Sequence, residues 1–182
     1  MSRRTLLGLA VPLLLLAAYF GVTGYIRAHV DDLIRHAVDR PLPDFSLVDR
    51  DGRTWTKAEL AGKRVVLHFF RSYCHSCDVE APAIRALEAR ADDDTVWLHV
   101  MTDVLLDVDA ATTAATIARK QFRAPVLMAD DAFMEKFHKA DWSQVTPITY
   151  VVDAAGVVRY GLRGLQTEAS VAEAVDAIAA PR

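Results

Sequence analysis

Two cysteines separated by two residues directly follow an apolar run, and this arrangement limits the folds open to the chain. Residues 65–70 read Val-Val-Leu-His-Phe-Phe, which has the length and composition of a strand buried on both faces in a helix-covered sheet. Cys74 and Cys77 come next, and a segment with helical periodicity begins behind them. The thiols are therefore predicted to lie where a central strand ends and a helix begins.

That position favours redox chemistry. The N–H groups and the dipole at a helix N-terminus stabilise negative charge, so the pKa of Cys74 is expected to lie below its usual value of about 8.5. The chain contains only these two cysteines, which excludes a disulfide framework and a four-cysteine zinc site. A purely structural disulfide is the alternative, but a bridge across so short a loop restrains little chain.

Strand and helix patterns alternate over the rest of the chain, which predicts an α/β fold. The helix after Cys77 is expected to be kinked at Pro82. The other predicted elements are a hairpin around Asp51-Gly52, a strand at 95–101, a helix at 109–121, a strand at 124–128, a helix from Asp130 or Asp131 through Lys139, a hairpin over 148–160 and a helix at 167–179.

The N-terminus predicts a membrane anchor. Residues 5–26 are uncharged and apolar, and they are long enough to cross a bilayer. Arg3 and Arg4 precede them, which predicts a cytoplasmic tail at 1–4, a spacer at 27–43 and an extracytoplasmic domain at 44–182. A cleaved signal peptide is the alternative, although no convincing cleavage site follows.

Charge excludes one class of partner. The formal net charge is −3, and Lys and Arg are scattered rather than gathered on one face, so nucleic-acid binding is not expected.

The order of these elements resembles the thioredoxin-like superfamily. Pro82 stands where that superfamily has its helix-kinking proline, and Thr146-Pro147 matches its cis-proline position. The opening at 43–45, the pattern over 77–82 and an extra αβ segment before Pro147 are similar to the membrane-anchored TlpA-like and ResA-like thiol-disulfide oxidoreductases. The resemblance implies a three-layer αβα sandwich with a central αβ insertion, and no cofactor beyond a Cys74–Cys77 redox-active disulfide.

The resemblance and exchange chemistry together suggest roles for the site residues. Disulfide exchange needs an attacking thiolate and a nearby resolving thiol, so we assign Cys74 to attack and Cys77 to resolution. Glu80 is similar to the family's proton-transferring glutamate, with a solvated helix carboxylate as the alternative. Pro147, if cis, would hold the chain against the cysteines.

Four residues are assigned to substrate binding, namely Tyr73, His75, Ser76 and Thr146. They depart from the family at three places. Tyr73 stands in place of the usual Trp, His75-Ser76 lacks the common proline, and Thr146 replaces Val or Ala. His75 either favours the Cys74 thiolate or points to solvent. His68, within the apolar strand, is interpreted as a core histidine.

The resemblance favours a reductant of client-protein disulfides that receives electrons from a membrane protein. Apocytochrome c or a copper-site assembly protein would be its client. A disulfide-forming oxidant is one alternative. Another is a copper chaperone using the two thiols with His75 or His138. A peroxidase of the peroxiredoxin type would carry threonine where this chain has Arg71.

Overall fold

The computed structural model describes residues 3–137 and 143–179. It divides into two compact units between residues 33 and 34. The first unit holds most of helix α1 (Arg3–Ala37). The stretch Val11–Ala37 is long and apolar enough to cross a membrane, a test that a signal sequence also passes.

The second unit alternates strands and helices as the sequence predicts. Its elements are β1 (Ser46–Val48), β2 (Thr54–Thr56), β3 (Arg64–Phe70), α2 (His75–Glu88), β4 (Thr95–Met101), α3 (Ala110–Lys120), β5 (Val126–Met128), α4 (Asp131–Phe137), β6 (Ile148–Val152), β7 (Val158–Arg163) and α5 (Glu168–Ala179). Short 3₁₀ helices cover Lys57–Leu60 and Asp103–Leu106. Helix α2 runs through Pro82. The expected end of α4 at Lys139 lies outside the described residues.

The main sheet has the strand order β5-β4-β3-β6-β7. Strand β3 pairs in parallel with β4 and antiparallel with β6, so it occupies the centre. Strand β5 pairs in parallel with β4, which places the extra αβ segment formed by α3 and β5 at one edge of the sheet. The predicted thioredoxin-like fold is confirmed.

Alternate residues of β3 supply two apolar layers. Val66 and Phe70 face α2, α3 and α5 in one cluster. On the other face, the ring of Phe69 stacks on those of Phe133 and Phe137 from α4. The period-2 alternation of a strand thus covers both faces of the sheet with helices, which explains why β3 is apolar throughout.

The second unit begins earlier than the boundary at residue 44 that the sequence suggests. Ile34, Ala37 and Leu42 are buried, and Leu42 N–H donates to the Gly156 carbonyl. The end of the expected spacer at 27–43 therefore packs as part of the unit. Ile34 and Ala37, three residues apart on the helix, are buried there.

Gly161 on β7 lies against this last turn of α1, which leads to the first prediction. A Cβ at residue 161 would lie 2.4 Å from Cγ2 of Ile34 and 3.1 Å from the Tyr150 ring. We expect Gly161→Ala to lower the free energy of unfolding by about 2 kcal/mol, because the branched Ile34 side chain has no room to move. Urea denaturation measures the loss.

The double variant Gly161→Ala/Ile34→Ala is the control. It removes the atom that the new methyl group meets, so its loss should be smaller than the sum of the two single losses. Additive losses would contradict the packing described here.

Candidate active site

Cys74 and Cys77 form a disulfide at the start of α2. Cys74 is the N-cap residue, and its Sγ accepts a hydrogen bond from the Cys77 N–H at 3.2 Å. Cys74 is 7% exposed and Cys77 is fully buried. One sulfur is thus within reach of a partner, and the other is reached only through the first.

Three of the predicted substrate-binding residues lie directly before or between the two cysteines in the chain. Tyr73 is 76% exposed and adopts a left-handed backbone with φ of 54°. His75 is exposed and Ser76 is half-buried in the first turn of α2. The arrangement leaves an aromatic ring and a short polar stretch open to solvent beside Cys74.

Thr146 and Pro147 approach the disulfide from the segment before β6. Their peptide bond is cis, as the resemblance implied. The Thr146 carbonyl oxygen lies 3.8 Å from Sγ of Cys74, while the Pro147 carbonyl accepts a hydrogen bond from Gly164 N–H. The structure therefore brings Thr146 and Pro147 together with the cysteines.

Glu80 is buried on α2, one turn after Cys77. Only 1% of the residue is exposed, so the alternative of a solvated carboxylate is wrong. Its Oε1 lies 2.8 Å from Nε2 of His68, and its Oε2 accepts a hydrogen bond from Gln166 N–H at 3.0 Å. Residues three apart on a helix share a face, so Glu80 lies on the same side of α2 as Cys77.

His68 is a core histidine as expected, but it belongs to a polar chain that sequence reasoning missed. Its Nδ1 lies 3.0 Å from Nδ1 of His99, and Nε2 of His99 lies 2.6 Å from Oε1 of Glu88. His68 and His99 are register partners on β3 and β4. The matching central positions of two seven-residue strands were the available signal.

Burial and hydrogen bonding shift two pKa values in this chain. Burial lowers the pKa of His99 to about 4, although the hydrogen bond with Glu88 opposes the shift. For Glu88, burial raises the pKa, but hydrogen bonds from His99 and the N–H groups of Ala124 and Arg123 outweigh it and lower the pKa. Near pH 7 these shifts favour a neutral His99 ring and an ionised Glu88.

A second cluster of buried polar groups holds the loop before Cys74 in place, and sequence reasoning did not predict it either. Asp103 is fully buried and accepts hydrogen bonds from the Ser72 N–H at 2.7 Å, the Ser72 hydroxyl at 2.6 Å and the Thr113 hydroxyl at 2.8 Å. Aspartates usually lie at the surface, so nothing in the sequence marks this one.

A charged group flanks the start of α2. The Asp78 carboxylate lies 2.8 Å from Nζ of Lys120 and 3.3 Å from Arg119. The hydrogen bond from Lys120 lowers the pKa of Asp78, while burial lowers the pKa of Lys120. Lys120 thus brings a largely buried positive charge to the side of the helix that carries the cysteines.

Within residues 3–137 and 143–179, no group of three or more His, Cys, Asp or Glu side chains is placed to hold a metal ion. His138, which the copper alternative considers, lies outside the described residues.

Removing the Asp103 carboxylate should destabilise the loop that carries the cysteines. Asp103→Ala leaves the Ser72 N–H and the Thr113 hydroxyl without their acceptor, while the Ser72 hydroxyl keeps the Thr116 hydroxyl as a partner. We therefore expect the free energy of unfolding to fall by about 3 kcal/mol. Urea denaturation measures the loss. The exposed Asp93, changed to Ala, is the control and should shift stability by less than about 0.5 kcal/mol. Equal losses in the two variants would contradict this role.

The buried His99 should make stability depend on pH. Because its pKa is lower in the folded chain than the ordinary 6.5, the unfolded chain binds more protons between about pH 6.5 and 4. The free energy of unfolding should therefore fall on acidification through this range, by up to about 1.4 kcal/mol per pH unit from this group. The lowered pKa of Glu88 acts in the same direction.

Denaturation across this pH range tests the expectation, with His99→Gln expected to weaken the dependence. The exposed His75, changed to Gln, should leave it intact. A stability that stays constant from pH 6.5 to 4 would rule out the assignment.

Comparison with known proteins agrees with this geometry. The sequence model of the AhpC/TSA family matches residues 38–161. The thioredoxin-like protein YneN of Bacillus subtilis is 29% identical over 139 residues, covering 74% of this chain and 76% of YneN. The thiol-disulfide oxidoreductase ResA of Bacillus cereus is 24% identical over 173 residues, covering 95% of this chain and 96% of ResA.

Among solved structures, a thioredoxin-family thiol:disulfide interchange protein from Chlorobium tepidum superposes with a TM-score of 0.63 at 22% identity. The match covers 79% of this chain and 99% of that protein. Fold, cysteine pair and sequence relatives agree. The chain therefore belongs to the AhpC/TSA family, and it is a thiol-disulfide oxidoreductase with a thioredoxin-like fold.

Proposed function

We propose that the chain donates electrons from a Cys74–Cys77 dithiol to disulfides of client proteins. The observation that carries the proposal is the difference in exposure between the two cysteines, because Cys74 is 7% exposed and Cys77 is fully buried. Only Cys74 can meet a partner, and only Cys77 is placed to release that partner.

The exchange balances in two steps. The Cys74 thiolate attacks one client sulfur, so that a mixed disulfide forms and the other client sulfur leaves as a thiolate. Cys77 then gives its proton to Glu80 and attacks Sγ of Cys74, which expels the second client thiolate. The client gains two electrons and the pair loses two, which a membrane donor protein of the dithiol class restores.

The Thr146 carbonyl suits the binding of an extended client segment. It lies 3.8 Å from Sγ of Cys74, where it can accept a hydrogen bond from a client N–H. The exposed Tyr73 ring supplies apolar contact area, and His75 and Ser76 offer polar contacts. A backbone contact selects for no particular side chain, so this site suits clients chosen by the accessibility of their disulfide.

The charges on α2 favour the reducing direction. A helix N-terminus stabilises the Cys74 thiolate, which makes a disulfide more oxidising. The buried Glu80 in the second turn carries a carboxyl group that opposes this stabilisation, whereas the Asp78 carboxylate is paired with Lys120 and Arg119. A dithiol with a less stabilised thiolate is the better electron donor.

Helix α1 supports a location at the membrane. Its apolar stretch can span a bilayer, and Arg3 and Arg4 precede that stretch. By the positive-inside rule, the N-terminus would stay in the cytoplasm and the redox domain would lie outside it. An oxidising exterior is where a dedicated disulfide reductant is needed.

Two experiments on the full chain test this function. One traps a mixed disulfide, and the other measures the reduction potential of the cysteine pair. Cys77→Ser should accumulate a covalent mixed disulfide with a disulfide-bonded client peptide, and the control Cys74→Ser should form none. The reduction potential of the wild-type pair should lie near about −270 mV. Full exchange by Cys74→Ser would overturn the assignment of roles, and a potential near about −120 mV would make the chain an oxidant.

A further inference from the structure

We propose that His68, His99 and Glu88 form a proton relay that serves Glu80, shifting a proton between the active site and the far end of α2. The proposal rests on the proposed function, because it supplies the base that the second exchange step requires. His68, His99 and Glu88 act through Glu80 and touch no reacting atom, so they are positioning residues.

The relay is an unbroken series of three hydrogen bonds. The distances are 2.8 Å from Glu80 to His68, 3.0 Å from His68 to His99 and 2.6 Å from His99 to Glu88. The side chains of Glu80, His68 and His99 are fully buried, and that of Glu88 is 3% exposed. The series is thus shielded from bulk solvent except at Glu88, and its hydrogen bonds give a proton a continuous path between these groups.

The fold aligns the four groups along one helix. His68 and His99 are paired in the parallel register of β3 and β4, so they stand side by side beneath α2. Glu80 and Glu88 are eight residues apart on α2, which corresponds to about 12 Å along its axis. At the outer end of the relay, Glu88 accepts hydrogen bonds from the backbone N–H groups of Arg123 and Ala124. Arg123 is exposed to solvent.

The number of protons in this series of hydrogen bonds explains why it can adopt two arrangements. Three hydrogen bonds need three protons, and two neutral imidazoles supply two, so one carboxyl group must hold the third. In one arrangement Glu80 is protonated and donates to Nε2 of His68, Nδ1–H of His68 donates to His99, and Nε2–H of His99 donates to an ionised Glu88. In the other arrangement every bond is reversed, so Glu88 holds the proton and Glu80 is ionised.

The two arrangements carry the same charge and the same number of hydrogen bonds, and three proton hops convert one to the other. After the conversion the ionised Glu80 accepts the proton of Cys77, and Glu88 releases its own proton to solvent. The net result is one proton moved from Cys77 to solvent, and both rings are neutral in each of the two arrangements.

The surrounding charges favour one negative charge shared over the series. Lys120 on α3 interacts electrostatically with Glu80, and Arg50 in the loop after β1 interacts with His99. Each end of the relay also accepts backbone hydrogen bonds. Gln166 N–H donates to Glu80, and Ala124 N–H donates to Glu88 at 3.1 Å. Both carboxyl groups are therefore prepared to hold the charge in turn.

Reaction of the reduced full chain with 5,5′-dithiobis(2-nitrobenzoate) separates the two exchange steps. Attack by Cys74 releases one chromophore in a phase that depends on reagent concentration. Attack by Cys77 on the mixed disulfide releases the second chromophore in a phase that does not. The second phase alone requires the proton of Cys77 to leave.

Glu88→Gln keeps the shape of the side chain but cannot exchange a proton with His99, so no proton can leave through this end of the relay. We expect the first phase to be unchanged and the second to slow about tenfold or more at pH 7, with its midpoint moved to higher pH. Glu59→Gln is the matched control, because Glu59 also accepts from a backbone N–H but lies in the exposed 3₁₀ helix. It should leave both phases unchanged.

A second phase in Glu88→Gln that matches wild type in rate and pH midpoint would overturn the relay and leave the proposed function standing. Loss of the first phase in the wild-type chain would instead overturn the function itself. The two failures are therefore distinguishable.

A measurement on the wild type removes any dependence on how the variant folds. In the full chain labelled with ¹⁵N-histidine, reduction of the disulfide should shift the ring nitrogens of His99, which belongs to β4 and is linked to the cysteines through His68 and Glu80. Ring signals of His99 that stay the same in both redox states from pH 5 to 9 would overturn the relay.

Discussion

A carboxyl group buried beneath a helix needs a hydrogen-bond partner for each oxygen, and Glu80 finds its partners on two different elements. His68 comes from the central strand β3, and the Gln166 N–H comes from the segment before α5. Leaving either oxygen unpaired would cost on the order of 1–3 kcal/mol or more. The strand, the helix that carries the cysteines and the C-terminal segment are therefore held in one arrangement. Cys77, one turn before Glu80, inherits its position from this requirement.

Asp103 holds the chain in place on the N-terminal side of the cysteines, as Glu80 does on their C-terminal side. It binds the N–H and the hydroxyl of Ser72, so the loop between β3 and α2 has a defined path before it reaches Tyr73. The left-handed backbone of Tyr73 then turns the chain into the helix and leaves the ring exposed. Two buried carboxyl groups thus set the exposure of Cys74 and the burial of Cys77, on which the exchange chemistry depends.

Local sequence patterns predicted the strands and helices well, but they did not predict contacts between residues that lie far apart in the chain. The apolar strand, the helix after Cys74 and the elements around Pro147 follow from periodicity and resemblance. The pairing of His68 with His99 depends on the register of two strands separated by α2, and nothing near either residue records that register. The contact between Gly161 and the turn of α1 that carries Ile34 is another such case, since the two lie far apart along the chain.

The buried polar series is costly if its only task is stability. Removing two carboxyl and two imidazole groups from water carries a desolvation penalty, and apolar side chains of similar volume are often as stable or more stable in such places. His99 illustrates this cost, because burial lowers its pKa to about 4 despite the hydrogen bond with Glu88. Glu80 needs one partner besides the Gln166 N–H, and His68 supplies it. The continuation through His99 to Glu88 adds nothing to the position of the cysteines, but it gives the proton of Cys77 a path out of a dry interior.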